Sequence, residues 1–238
     1  MTELATYALE GRIATVALDD GKANALSIAM LRTLHEALDQ AERDEAVVVL
    51  KGREGRFSAG FDLGVFASGD ERQALEMVRL GATLAERVLA FPTPVVVACS
   101  GHAIAAGSFF LLAADARIGA EGPFRIGLNE VQIGITVPAW AIELARQRLA
   151  PAHFDRAVVS ATLYEPRAAV AAGFLDQVVA PAELDAAAHE TAATLAQLSP
   201  AAHAATKLRA RAEALSAVRE AIAAEVTVDR LLAAQASG

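Results

Sequence analysis

Two stretches of this chain carry residue types suited to chemistry at a carbonyl oxygen. Residues 57–63 read FSAGFDL and residues 103–109 read AIAAGSF. In each, a strand gives way to small residues and then to the expected start of a helix. Small residues let a ligand or another backbone reach exposed amide N–H groups. The amino end of the following helix adds partial positive charge at the same place. Two such turns side by side would aim two N–H donors at one oxygen, which is the arrangement of an oxyanion hole. On residue types alone, close packing of two chain segments accounts for these turns equally well.

Other chemistry is thinly represented. The histidines at 35, 102, 153, 189 and 203 show no metal-ligand spacing, and no metal site is expected. Ser108 lies outside a G-x-S-x-G elbow and is not expected to be a nucleophile. No G-x-G-x-x-G or P-loop follows a strand. The single cysteine, Cys99, sits in the apolar run VVVACS and is expected to be buried and inert. A disulfide within one chain is impossible, and a cytoplasmic setting fits.

The elements that must position the two turns follow from hydrophobic periodicity. YALEGRIATVALDDG reads as a hairpin turning at Glu-Gly. Ser27 is placed to cap a helix whose apolar face is Ile28, Leu31, Leu34, Leu38 and Ala41. AVVVLKG, PVVVACSG and ARIGA are short buried strands, with a helix from about Glu71 to Ala90 between the first two. Strands alternating with helices predict a layered α/β domain. From Ala139 onward alanine-rich helices take over, with one short strand at LDQVV. An α/β core is expected over residues 1–195 and a helical portion over 196–238.

Composition narrows the partners. The chain has 238 residues, 54% of them hydrophobic, and this excess suggests apolar surface buried against other subunits. A formal charge of −8 with no basic cluster argues against nucleic acid or an anionic membrane surface as a partner. No charged side chain occurs from Val88 to Ala114, but Pro92-Thr93-Pro94 and Ser100-Gly101 divide that run into pieces too short to span a bilayer. The opening MTELATYALEGR has acidic residues where a signal peptide carries Lys or Arg, so secretion is not expected.

Taken in order, GKANALS (21–27), FSAGFDL, SGHAIAAGSFFLLAAD (100–115), FRIGLNEVQIGITVP (124–138) and LDQVVAPAEL (175–184) resemble the crotonase, or enoyl-CoA hydratase/isomerase, superfamily. The resemblance covers nearly the whole chain. It implies a crotonase-like α/β fold of stacked β-β-α units with a helical C-terminal portion, assembled as a homotrimer or a dimer of trimers. It also implies an acyl-CoA thioester ligand, with CoA entering as part of the substrate and no separate cofactor. The two amides that would hold the thioester oxygen fall on Phe61 and Ala106. Lys22, Ala23, Ala25 and Leu26 match the loop that lies along CoA, and Ala59, Gly60, Asp62, Leu63, Ile104, Gly107 and Phe109 border the two turns as substrate-binding positions.

Hydratases of this superfamily use two glutamates. One aligns with Glu130; the other aligns with position 109, where this chain has phenylalanine. Orienting water across a double bond uses both carboxylates, whereas moving a double bond needs one base that takes a proton from C2 and returns it at C4. An apolar setting raises such a carboxylate's affinity for a proton. IGLNEVQIGI with an apolar residue at 109 looks like the mitochondrial-type 3,2-enoyl-CoA isomerases. The further acid of dienoyl-CoA isomerases would fall at Pro138. The expected activity is therefore isomerisation of 3-enoyl-CoA to 2-enoyl-CoA through Glu130. A non-catalytic acyl-CoA-binding protein and a weak enoyl-CoA hydratase are the alternatives. Asp62 and Asp115 are expected to cap a helix or close a turn. Trp140 and Phe66 would line the acyl pocket or pack in the core.

Overall fold

The computed structural model describes residues 4–226. Its first hairpin pairs β1 (Ala5–Glu10) with β2 (Ile13–Leu18) around Gly11, as the Glu-Gly turn predicts. A six-stranded sheet follows in the order β1, β2, β4 (Val47–Lys51), β7 (Val95–Cys99), β9 (Ala116–Ala120) and β11 (Gln177–Val179). All pairings after the first are parallel. The central strands are buried on both faces, which is why they read as unbroken apolar runs. Val48, Leu50, Val95 and Val97 face one core. Val47, Val49, Val96 and Ala98 face another, closed by Leu184, Ala188 and Ala192 of α8 (Leu184–Leu195).

β2, β4, β7 and β9 are each followed by a short strand that leaves the sheet. β3 (Ala25–Leu26) pairs with β6 (Gly60–Phe61), while β5 (Gly55–Ser58), β8 (Gly101–Ile104) and β10 (Ile126–Gly127) form a parallel three-stranded sheet. A helix then returns the chain: α1 (Ile28–Arg43) after β3, α3 (Glu71–Ala90) after β6 and the short α2 (Leu63–Ala67), α4 (Ala106–Ala113) after β8, and α5 (Ala139–Arg148) after β10. Four β-β-α units are thus stacked along the chain. Ser27 caps α1 by accepting the amide of Met30 at 3.2 Å, and Leu31, Leu34, Leu38 and Ala41 are buried as its periodicity requires.

The helical end comprises α6 (Pro151–Val158), α7 (Pro166–Ala172), α8, α9 (Pro200–Ala210) and α10 (Ala212–Glu225). α10 packs on α3 and α5. The helical portion expected over 196–238 extends past the described residues at 227–238. Among the described residues no helix is long and apolar enough to cross a membrane.

Candidate active site

Two polar side chains shape the loop before β3. Asp20 accepts the amides of Lys22 at 2.7 Å, Asn24 at 2.8 Å and Ala25 at 2.9 Å. Burial works to raise the Asp20 carboxyl, but these amides and the charge of Arg53 outweigh it and hold it below the usual carboxylate range. Asn24 is fully buried with φ +53°, a left-handed conformation that asparagine tolerates better than most residues. Its amide nitrogen donates to Leu18 O at 3.0 Å and Phe57 O at 3.2 Å. Lys22 is exposed on this loop, Ala23 and Ala25 are half-buried, and Leu26 is buried.

Ser58 joins this loop to the first small-residue turn. Its hydroxyl donates to Asn24 O at 2.7 Å and accepts the amide of Gly60 at 3.2 Å. Gly60 has φ +87°, and a Cβ there would fall 3.0 Å from Ile104 O and 3.1 Å from Ala106 N. The first turn therefore lies directly against the second. Gly107 adds a closer approach, since its Cβ would meet Ser58 O at 2.5 Å. Ala59 and Leu63 are exposed beside the turn, and Ile104 is half-buried. Asp62 caps α2 by accepting the amide of Gly64 at 2.9 Å, as expected of it. The Phe61 ring lies against Gly81 of α3 and edge-on to Phe66, with centroids 6.4 Å apart.

Ala105 carries backbone strain at the second turn. Its φ of +50° and ψ of −128° are unusual for a residue with a side chain and cost on the order of 1–3 kcal/mol. Two hydrogen bonds hold it: Ala105 N to Gly127 O at 3.0 Å, and Ser108 N to Ala105 O at 2.8 Å. The result is that Ala106 becomes the first residue of α4. An amide at that position has no carbonyl one turn back to bond. Among the described residues none of the other acceptors meets it either.

Glu130 arrives from β10 through Leu128 and Asn129 and opens a single 3-10 turn, Val131–Ile133. Its own carbonyl accepts the amides of Ile133 at 3.0 Å and Ile135 at 2.9 Å, so the backbone there is tightly held. The side chain is only 6% exposed, and Oε2 is buried without a hydrogen-bond partner among the described residues. Burial pushes the carboxyl up from 4.5 to about 7, with only its own backbone amide opposing. Phe109 is 2% exposed and packs edge-on against Trp140, centroids 4.8 Å apart. Trp140 and Phe109 are both core residues, and the Trp140 Nε1 is another buried polar atom without a partner. Cys99 is buried as expected, and desolvation drives its thiol up to about 12.

The sequence reading did not single out Asp20, Asn24 or Ser58. The signal available was weak: isolated polar residues between two apolar runs, whose partners lie up to 34 residues away. The parts are a free amide on a strained turn, a second turn in contact with it, and, beyond the end of β10, a buried carboxyl pushed up to about 7. The two turns have the form of an anionic-oxygen site, and the carboxyl is suited to carrying a proton.

Known proteins resemble the chain in sequence and in fold. The family model described as enoyl-CoA hydratase/isomerase matches residues 9–237. A Bacillus subtilis protein named a probable enoyl-CoA hydratase is 36% identical over 140 residues, 57% of this chain and 53% of that one. The human protein named enoyl-CoA delta isomerase 1, mitochondrial, is 30% identical over 171 residues, 70% of this chain and 57% of that one. The chain thus aligns with a little over half the length of these two curated relatives. The crystal structure of an enoyl-CoA hydratase/isomerase family protein from Pseudomonas syringae matches with a TM-score of 0.91 at 47% identity, covering 94% of this chain and 96% of that one. By sequence and by fold, the chain belongs to the enoyl-CoA hydratase/isomerase family.

Proposed function

We propose that the protein isomerises 3-enoyl-CoA to 2-enoyl-CoA, with Glu130 as the single proton carrier. The observation that carries this reading is the buried Glu130 carboxyl, whose Oε2 has no hydrogen-bond partner among the described residues and which desolvation pushes up to about 7. At position 109, where a hydratase would need its second carboxylate, a phenyl ring is turned into the core against Trp140.

In this reading the thioester oxygen accepts hydrogen bonds from the amides of Phe61 and Ala106. Glu130 removes a proton from C2, and the electron pair moves onto that oxygen to give a dienolate. The neutral Glu130 then returns the proton at C4 while the double bond settles between C2 and C3. Atoms and charge balance without any cofactor beyond the CoA that the substrate carries. CoA lies along Lys22, Ala23, Ala25 and Leu26. Ala59, Gly60, Asp62, Leu63, Ile104, Gly107 and Phe109 border the thioester. The exposed apolar side chains Val131, Ile133 and Ile135 beside Glu130 support an assembly of copies, a homotrimer or dimer of trimers.

Hydration of 2-enoyl-CoA is the second reading, favoured by the name of the Bacillus subtilis relative. The test is to supply 3-enoyl-CoA and 2-enoyl-CoA separately and follow conjugation and water addition. Isomerisation well ahead of hydration is the expected result, and hydration as fast as isomerisation would overturn it. Neither reaction, with acyl-CoA still raising thermal stability, would instead identify a non-catalytic binding protein.

A further inference from the structure

Ser108 sits at the third position of α4, fully buried, and its hydroxyl is saturated with partners. Its oxygen lies 2.6 Å from Ala103 O and 3.1 Å from Gly127 O, and it accepts the amide of Gly127 at 3.2 Å. A hydroxyl has one proton, so the shorter contact is the donated bond and the Gly127 amide supplies a second tie. Neither a base nor an open face adjoins it, so it is no nucleophile.

What it connects is more informative. Ala103 is on β8, Ser108 on α4, and Gly127 is the last residue of β10, three positions before Glu130. Gly127 O in turn accepts the amide of the strained Ala105 at 3.0 Å. Gly127 has φ +144°, which a residue with a side chain rarely adopts, and a Cβ there would lie 3.1 Å from Thr162 O. One hydroxyl therefore ties the strand leading to Glu130 to the helix whose first amide is Ala106. β8 and β10 share only two residue pairs, Ala103 with Ile126 and Ile104 with Gly127. To so short a ladder, held otherwise by backbone bonds of Ile126 with Tyr164 and of Gly127 O with Ala105, the Ser108 hydroxyl adds a side-chain tie at the residue nearest Glu130.

We infer that Ser108 is a positioning residue, whose hydroxyl fixes the Glu130 carboxylate relative to the Ala106 amide through Gly127. The inference rests on the proposed roles of Glu130 and Ala106. A proton transfer is sensitive to misplacement on the order of 1 Å, whereas binding of a long thioester is spread over many contacts. Loss of the tie should therefore lower kcat and leave KM nearly unchanged.

The experiment is a double-mutant cycle on the full chain with 3-enoyl-CoA as substrate. Ser108→Ala is expected to lower kcat about tenfold to a hundredfold, with KM and the affinity for a saturated acyl-CoA within about threefold. Ser108→Cys, which keeps a weak donor of similar size, is expected to recover part of that loss. In a Glu130→Gln background, Ser108→Ala is expected to change the residual rate by less than about twofold, because the group being positioned is gone. Native kcat in a folded Ser108→Ala protein would overturn the inference. So would equal losses of kcat in the two backgrounds, which would mark a general structural role. If Ser108→Ala does not fold, Ser108→Cys takes its place in the same cycle. Should Glu130→Gln alone keep native turnover, the base assignment fails, an outcome separate from any result at Ser108.

Discussion

In the proposed reaction Glu130 must hold a proton for part of each turnover, and its burial sets the pH range in which it can take one. Its carboxyl is pushed up to about 7, so the ionised base dominates only above that value. Turnover at low substrate should therefore fall about tenfold per pH unit below about 7 and level off above it. A pH profile of kcat/KM that stays flat from 5 to 8 would contradict this. The same burial weakens the fold. A carboxyl raised in the folded state binds its proton more tightly there than in the unfolded chain. Its contribution to stability is complete below the ordinary 4.5 and is lost as pH rises through about 7. The displacement is equivalent to roughly 3 kcal/mol. Glu130→Gln gives back part of it, less the cost of a buried amide, so the variant should be more stable than the native chain at pH 8 by about 1–2 kcal/mol. Denaturant titrations at pH 4 and pH 8 check this, with the advantage expected only at the higher pH. That Glu130 sits in a motif was legible in the chain. Its burial was expected only through the family resemblance, because the groups that exclude water from it belong to other elements.

The two turns owe their geometry to glycines and small residues whose neighbours are distant in sequence. Gly107 opens the first turn of α4, where alanine would ordinarily be preferred by about 1 kcal/mol. Contact reverses that preference, because a Cβ there would meet the Ser58 carbonyl at 2.5 Å and Ser58 Cβ at 2.9 Å. Neither atom can rotate away without moving β5. Gly107→Ala should cost about 1–3 kcal/mol and separate the turns. The melting temperature and, in the proposed reaction, turnover of 3-enoyl-CoA should both fall, and an unchanged melting temperature would show that the turns are not in close contact. At this scale the chain was highly readable. The cap at Ser27, the helix Glu71–Ala90 and the strands β4, β7 and β9 lie where periodicity and capping chemistry put them. The short strands β3, β6 and β10 were not legible, because two residues carry no periodicity and exist as strands only through their partners.

Across the whole molecule, one carboxylate holds the helical end onto the core. Asp115, expected to cap a helix or close a turn, accepts the amide of Val95 at 2.7 Å, Lys207 Nζ at 2.6 Å and an Arg211 nitrogen at 2.9 Å. Lys207 also donates to Phe91 O at 2.9 Å and Arg211 to Leu89 O at 2.8 Å, which places both cations at the carboxyl end of α3. Desolvation lowers the pKa of Lys207, and Asp115 opposes the shift. Asp115→Asn would leave two largely buried cations without their anion, at a cost of about 3–5 kcal/mol. Hydrogen exchange should show α9 and α10 losing protection ahead of the main sheet; uniform protection would argue against this clasp. What the sequence by itself determined is whatever depends on neighbours within a turn or a strand: the order of the β-β-α units, the main helices, and the ordered motifs that mark the family. The tertiary structure alone decided the contact between the two turns, the groups that keep Glu130 dry, the edge-on packing of Phe109 against Trp140 and the clasp at Asp115. The physical reason is range. Periodicity and capping act over a few residues, whereas desolvation and charge pairing depend on groups brought together from as far as 96 positions apart.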